Sequence, residues 1–410
     1  MLGAMVALAF APNALAATLR VNNGSAPGAC PATYATIQAA VNAAASGDTV
    51  LVCQGTYSEN VVVSTPGVTI KGKNLPPDLS SCKGTRTSLT TPAAVKKYTI
   101  VEGPGGVRAF DLEADDVALS NLVIQNTPSD TGAVFTSPSF SGYDIQQNLI
   151  QDNTFGIYFN SSGANKSTIA KNCFRENTAP GAVTGTAVYS DQGVANALIQ
   201  ANRLFGHQPA PQEGGGFVFD GVSSPTDLTV QGNTSVNDNT FMEFYAGVFD
   251  SSFTGNVVKN VGLRAFFFKD ASGVKVSSNI LTGSATDANG IVFRLFITGS
   301  TDVSVTNNIF TNVDRAAFVA EDFSLFDSLI RGNVFRSING DGIVTLFGNS
   351  TNTFQGNVGK GKRRGCHDES LGAGTAGTDN TWSGNIGPPA SFPLGICFPN
   401  KVDATNLFDF

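Results

Sequence analysis

The chain has 410 residues, of which only 14% are charged, and carries a net charge of −7 with a pI near 4.9. This balance excludes a general nucleic-acid binder, which works through a basic face. After the opening residues no segment is long and apolar enough to cross a bilayer.

The start, MLGAMVALAFAPNALA, is an apolar run ending in Ala14-Leu15-Ala16, a small-x-small pattern for signal peptidase. It predicts a signal peptide over 1–16 and a protein that is secreted, held at the cell surface or periplasmic. Six cysteines fit an oxidising compartment. Cys30 and Cys53 bracket the first helix and Cys366 and Cys397 bracket a Gly-rich tail, so these two sets are expected to pair; Cys82 and Cys173 are either bonded to each other or free. A structural zinc site is disfavoured, because there is no CxxC and there are only two histidines, His207 and His367.

From residue 117 onward one kind of segment recurs: VALSNLVIQN, YDIQQNLIQDN, STIAKNCFREN, ALIQANRLFG, LTVQGNTSV and six more. Aligned, they place Asn at 121, 148, 172, 202, 233, 256, 279, 308, 333, 357 and 385, at intervals of 23 to 31 residues. Each interval holds short β-branched or aromatic strands with period-two alternation between Gly, Asn, Asp and Ser turns. A unit of that size cannot bury its own apolar face; stacking one coil on the next does. The recurring Asn has a structural reading, since its amide can bond its copies in the coils above and below, about 4.8 Å away.

The stretch YATIQAAVNAAASGDTVLVCQGTYSENVVV, together with this repeat, resembles the pectin-lyase-like superfamily. The resemblance spans roughly residues 30 to 400 and implies an all-β, right-handed parallel β-helix. It implies a solenoid of about eleven to thirteen coils, with an amphipathic helix plugging the first through Ile37, Ala40, Val41 and Ala44. Gly47-Asp48 would turn the chain into the strand Thr49 to Cys53. The division expected is a cap over 17–48, the helix body over 49–365, and a disulfide-closed cap and tail over 366–410.

In such a solenoid the interior is packed, so chemistry belongs on outward positions. The strands GIYFN, TAVYS, GFVFD, FMEFY, AFFFK, GIVFR, AFVA and GIVTL align with Phe159, Tyr189, Phe219, Phe244, Phe268, Phe293, Val319 and Thr345 in one inward file. Alternation then sends Tyr158, Val188, Val218, Glu243, Phe267, Val292, Phe318 and Val344 outward. The next outward column holds Asn160, Ser190, Asp220, Tyr245, Lys269, Arg294, Ala320 and Leu346. Four coils thus present Asp220, Glu243 with Tyr245, Lys269 and Arg294 on one face, beside Tyr158 and Phe267, whose rings suit sugar C–H surfaces. The loops His207–Glu213 and Asp287–Asn289 would wall a groove there.

These residue types point to a uronate-containing polysaccharide. Cleaving or epimerising one needs a base beside the carboxylate, a proton donor and a positive charge on the developing dianion. Lys269, Tyr245 and Arg294 are the candidates for base, proton donor and carboxylate clamp. Tyr158, Asp220, Glu243 and Phe267 are candidates for substrate binding. Asp220 and Glu243 could also hold Ca²⁺, although no cofactor is required. The resemblance implies a lyase branch with Lys and Arg on neighbouring coils; there a His-Gly follows the Arg, whereas Leu295-Phe296 follows Arg294. The signatures of the hydrolase branch (Asn-Thr-Asp, Asp-Asp and Gly-His-Gly) are missing, so a glycoside hydrolase is the less favoured enzyme. The alternative is a non-catalytic carbohydrate-binding, adhesion or structural solenoid at the cell surface, in which the charges form a solvated ladder. The expected partner is polysaccharide, with no nucleic acid, no membrane insertion and a monomeric chain. His207 is a minor functional candidate, His367 reads as structural, and Lys360, Lys362, Arg363 and Arg364 form a basic run on the last coil.

Overall fold

A computed structural model describes residues 16–26, 30–83, 89–208, 214–221, 224–284, 286–388 and 390–398. The expected signal peptide (but for Ala16), most of the loop His207–Glu213 and the last residues of the tail lie outside these. Between the first strand and the last coil, each coil supplies one strand or strand pair to each of three parallel sheets, of 18, 13 and 12 strands. The result is a right-handed parallel β-helix. Tight left-handed turns make the corners. At one of them Gly232, Gly255, Gly332, Gly356 and Gly384 have φ near +60°, where a Cβ would be strained.

The helix Ile37–Ala43 closes the first coil. Thr36 caps it by accepting the Ala39 N–H, and Ile37, Ala40 and Val41 are buried against the solenoid. The strand after it, Thr49–Val52, pairs in parallel with Thr18–Val21 and with Thr69–Gly72. All six cysteines are bonded, as Cys30–Cys53, Cys82–Cys173 and Cys366–Cys397. The Cys82–Cys173 bond closes the alternative left open by sequence spacing. Coils continue past Cys366: Arg364–Asp368 pairs with Ser391–Phe392 in the thirteen-stranded sheet.

The asparagine ladder forms from 148 to 385. Asn256 is representative: its Oδ1 accepts both the backbone N–H (3.0 Å) and the side-chain amide (3.0 Å) of Asn233, while its own amide donates to Val230 O (3.1 Å) and Asn279 Oδ1 (2.9 Å). Asn121 is not in this ladder. Leu122 takes the equivalent place, its N–H donating to Asn148 Oδ1, and Asn121 is the left-handed residue before it, with φ 60°. The alignment was one residue out there because Asn suits both the ladder site and the left-handed corner that precedes it.

The aromatic stack is real through Phe219, Phe244, Phe268 and Phe293, with centroids 5.0, 5.6 and 5.2 Å apart and planes within 18°. Two coils differ from the sequence alignment. Tyr189 pairs with Tyr158 and Val218 on the outer side, leaving Ser190 beside Phe219. Val319 pairs with Val292 and Val344, so Ala320 lies inside and Phe318, expected outside, is buried in the core. Both slips follow from reading alternation with a fixed origin in strands whose first residue shifts at the corner. Asn160 and Ser190, expected to face out, are fully covered and bonded to one another at 2.9 Å.

Candidate functional site

The corrected register draws one outward file along the thirteen-stranded sheet. It runs Asp111, Phe135, Tyr158, Tyr189, Val218, Glu243, Phe267, Val292, Val319, Val344 and His367. Beside it run Asp220, Tyr245, Lys269, Arg294, Glu321, Leu346 and Glu369. Tyr158, Asp220, Glu243, Tyr245, Phe267, Lys269 and Arg294 all lie on this face, though not all reach solvent.

At the aromatic end, Phe135, Tyr158 and Tyr189 are half-buried rings with centroids 5.3 and 5.6 Å apart. The Tyr158 hydroxyl donates to Asp191 and accepts from Gln192. Burial, reinforced by Asp191, pushes this phenol up to about 12.

In the middle, Glu243 and Phe267 are 5% and 0% exposed, so neither presents itself to a ligand as the alternation suggested. The reason is Arg264, which lies in a neighbouring file at the strand's entry corner. Its Nε donates to Glu243 Oε1 at 3.0 Å, and its guanidinium sits 3.8 Å above the Phe267 ring. Glu243 also accepts from Thr240 and Tyr245, each at 2.9 Å. A carboxylate so saturated is a brace. Asp220 is exposed and accepts the neighbouring Gly221 N–H. Among the described residues no group of three or more His, Cys, Asp or Glu side chains is placed to hold a metal ion.

Lys269 lies over this brace. Its Nζ is 4.8 Å from the Tyr245 centroid, 5.3 Å from Phe296 and 5.8 Å from Phe267, which is cation–π range. Among the described residues no carboxylate approaches it within 4.0 Å. It borders a 670 Å³ pocket walled by Asp220, Tyr245, Phe249, Phe296 and Ile297. The 295–298 wall is held by Asp270, which accepts the backbone N–H groups of Phe296, Ile297, Thr298 and Gly299. Burial, with Glu243 beside it, pushes the Tyr245 phenol up to about 12, so it stays a proton donor at neutral pH. Arg294 is spent differently from the expectation: it makes a two-point pair with Glu321, at 2.5 and 2.8 Å, and these hydrogen bonds raise its pKa above the usual arginine value.

Past Arg294 the face opens into a groove of 890 Å³. Val292, Val319 and Val344 form its floor, while Asp287, Asp314, Glu321, Asp341 and Glu369 are among its carboxylate walls. Sequence reasoning missed this stretch. Its signals were present in Glu321 and Glu369, but the one-residue slip at 317–320 moved Glu321 off the outward column. His367 closes the end of the groove. His207 is fully buried: its Nδ1 meets Asp238 at 2.8 Å and its Nε2 meets the Asn177 amide at 3.2 Å, so it belongs to a second polar ladder with Asn153 and Thr127.

No protein-family model matches the chain, and no curated protein matches it in sequence. Solved structures do. The Dettilon tailspike protein superposes with a TM-score of 0.50 at 13% identity, over 88% of this chain and 65% of the tailspike. An alginate lyase from Paenibacillus gives 0.44 at 12% identity, over 80% and 99% of the two chains, and a surface adhesin of Streptococcus pneumoniae gives 0.43 at 12%, over 86% and 88%. The chain therefore spans just under two thirds of the tailspike's length, and at such identities the likeness concerns architecture alone. In architecture, this chain is a right-handed parallel β-helix.

Proposed function

We propose that the protein binds a polysaccharide along the outer face of the thirteen-stranded sheet, outside the cell, and that Lys269 receives the carboxylate of a uronate residue. The observation that carries this reading is the Lys269 ammonium, set among three aromatic rings and bordering a 670 Å³ pocket without an acidic partner among the described residues. Aromatic rings hold sugar C–H faces while one cation selects the anionic sugar. The ring set Phe135, Tyr158 and Tyr189 lies on the same sheet face, in the file beside that of Lys269, and extends the surface along it. Three disulfides suit an exported chain.

In its enzymatic form the reading is a lyase or epimerase: Lys269 removes the proton beside the carboxylate and Tyr245 supplies one to the leaving oxygen or opposite face. The saturation of Arg294 by Glu321 favours the second reading, a binding solenoid without catalysis, because the clamp for a carboxylate dianion is already occupied. Affinity electrophoresis in gels containing pectate, alginate, hyaluronan, xylan or dextran tests the binding. At least one uronate polymer should retard the protein, and Lys269→Ala should weaken that binding about tenfold, the equivalent of roughly 1.4 kcal/mol. Equal retardation by neutral xylan, or an unchanged Lys269→Ala variant, would refute the uronate assignment. Growth of ultraviolet absorbance from an unsaturated uronate distinguishes the lyase from the binder.

A further inference from the structure

On the twelve-stranded sheet one outward file is apolar in two stretches, and the chain itself covers only the first. That stretch, Ile100, Val123, Leu149 and Cys173, is fully buried. What buries it is the chain between the strands Thr69–Gly72 and Thr99–Glu102, where Cys82, Leu89 and Ala94 pack on the file and the Cys82–Cys173 bond pins them. One acid of this cover, Asp78, meets Arg175 at 3.4 Å, and Arg175 stands in the adjacent outward file, two residues after Cys173. Arg203 and Thr234 then interrupt the file. It resumes on six consecutive coils as Val257, Ile280, Ile309, Val334, Val358 and Ile386. These side chains reach solvent, Ile280 most openly at 40%. Strand propensity alone does not demand aliphatic residues there, since the outward file across the asparagine corner is polar, with Thr254, Ser277, Thr306 and Arg331 on the same coils. A continuous exposed apolar stripe on a soluble surface marks a contact. Lys259, in the file of Arg175, and Arg331 and Lys360 flank the stripe, exposed and without an ion pair among the described residues. Neither flanking file carries Asp or Glu over these coils, in a chain whose net charge is −7.

We propose that the open stretch of this file is the docking surface for a partner protein, which lays on it a segment with an aliphatic face and acidic flanks. The chain's own cover is the precedent: apolar side chains sit on the same file, and an acid pairs with a cation of the file beside it. Five rung intervals span about 24 Å, the length of about sixteen helical residues. Aliphatic contact supplies the affinity, while Lys259, Arg331 and Lys360 select the acidic flank and fix its register. A second copy of this chain is the poorer occupant, because the same face brings only cations to both flanks. A membrane is poorer too, since no Trp or Tyr stands in the stripe or in the files beside it to anchor at an interface. The surface belongs to a different sheet from Lys269, so it is independent of the uronate reading.

The test titrates the purified chain into two fluorescent helical peptides of about eighteen residues, one with a leucine face and glutamate flanks, the other with lysine in place of each glutamate. Anisotropy reads binding, sedimentation of phosphatidylglycerol vesicles reads membrane attachment, and analytical ultracentrifugation reads self-association. The glutamate peptide should bind saturably at one per chain and the lysine peptide at least about tenfold more weakly. Ile280→Glu and Ile309→Glu should each weaken the glutamate peptide about tenfold or more, and Lys259→Glu with Lys360→Glu should weaken it at least about threefold and flatten its salt dependence. Lys269→Ala, on the other sheet, should leave it unchanged. The variants alter side chains that already reach solvent, and an unchanged melting temperature shows that each has folded. No binding of the glutamate peptide, equal binding of the lysine peptide, or undiminished binding in folded Ile280→Glu and Ile309→Glu would overturn the proposal. So would vesicle attachment lost in Ile309→Glu, which would make the stripe a membrane contact, or a dimer dispersed by the same substitution, which would make it a contact between copies.

Discussion

Asn256→Ala isolates what the side-chain ladder contributes. The substitution removes four hydrogen bonds at once. Two of them leave donors orphaned on Asn233, its backbone N–H and its side-chain amide, and two deprive Val230 O and Asn279 Oδ1 of a donor. Both Asn233 and Asn256 are 0% exposed, so water cannot substitute. Orphaning a buried donor costs about 1–3 kcal/mol, and acceptors with a second partner suffer less. The expected loss is therefore about 3–5 kcal/mol, at the large end for a single substitution. Asn256→Asp keeps the acceptor for Asn233 but sets a carboxylate oxygen against Val230 O and Asn279 Oδ1, so it should be no milder. Asn121→Gly is the control, because Asn121 occupies the left-handed corner outside the ladder and its Oδ1 has no partner; it should stay within about 0.5 kcal/mol of the parent. Equilibrium urea unfolding, followed by far-ultraviolet circular dichroism and by Trp382 fluorescence, measures all three. The two probes separate local from global loss, since Trp382 stacks on Phe354 near the far end of the solenoid. If Asn256→Ala lies within 1 kcal/mol of the parent by both probes, the ladder is ornamental and the reasoning fails.

Three further expectations concern other parts of the chain. Replacing both Cys82 and Cys173 by Ser opens a link across 91 residues, which chain entropy values at about 4.6 kcal/mol; a melting temperature unchanged from the parent would contradict that. Arg264→Leu strands the buried Glu243 and should cost about 3–5 kcal/mol, whereas adding Glu243→Gln should recover part of it; additive losses in a double-mutant cycle would deny the brace. Asp48 accepts the N–H groups of Ala17 (2.7 Å) and Ala45 (2.8 Å), and these bonds, Ala17 first, hold its carboxyl below the usual range. A depressed carboxylate contributes stability above its ordinary pKa and loses it as pH falls through the lower folded value. The fall in melting temperature on acidification should therefore be shallower in Asp48→Asn, and parallel curves would show that the interaction does not contribute.

The fold was legible because it is written as a period. A recurring Asn every 23 to 31 residues, with alternating short strands between, has few ways to bury its apolar faces, and the coil-on-coil solution follows from the chain's own local chemistry. The aromatic stack from Phe219 to Phe293 and two of the three disulfides could be read the same way. The third disulfide joins residues 91 apart, and no local pattern selects that partner.

The site was legible in its composition and not in its exposure. The sequence by itself determined that Tyr245, Lys269 and Arg294 share one outward column, since strand alternation and coil period dictate it. Whether a side chain in that column meets solvent depended on what crosses it from neighbouring rungs. Arg264, at a strand's entry corner, buries Glu243 and Phe267, and Glu321 claims Arg294. Corners shift strand origins by one residue and long side chains reach over a rung of about 4.8 Å. Neither effect has a sequence period, so only the wound coil decided which charges are spent on each other and which remain for a ligand.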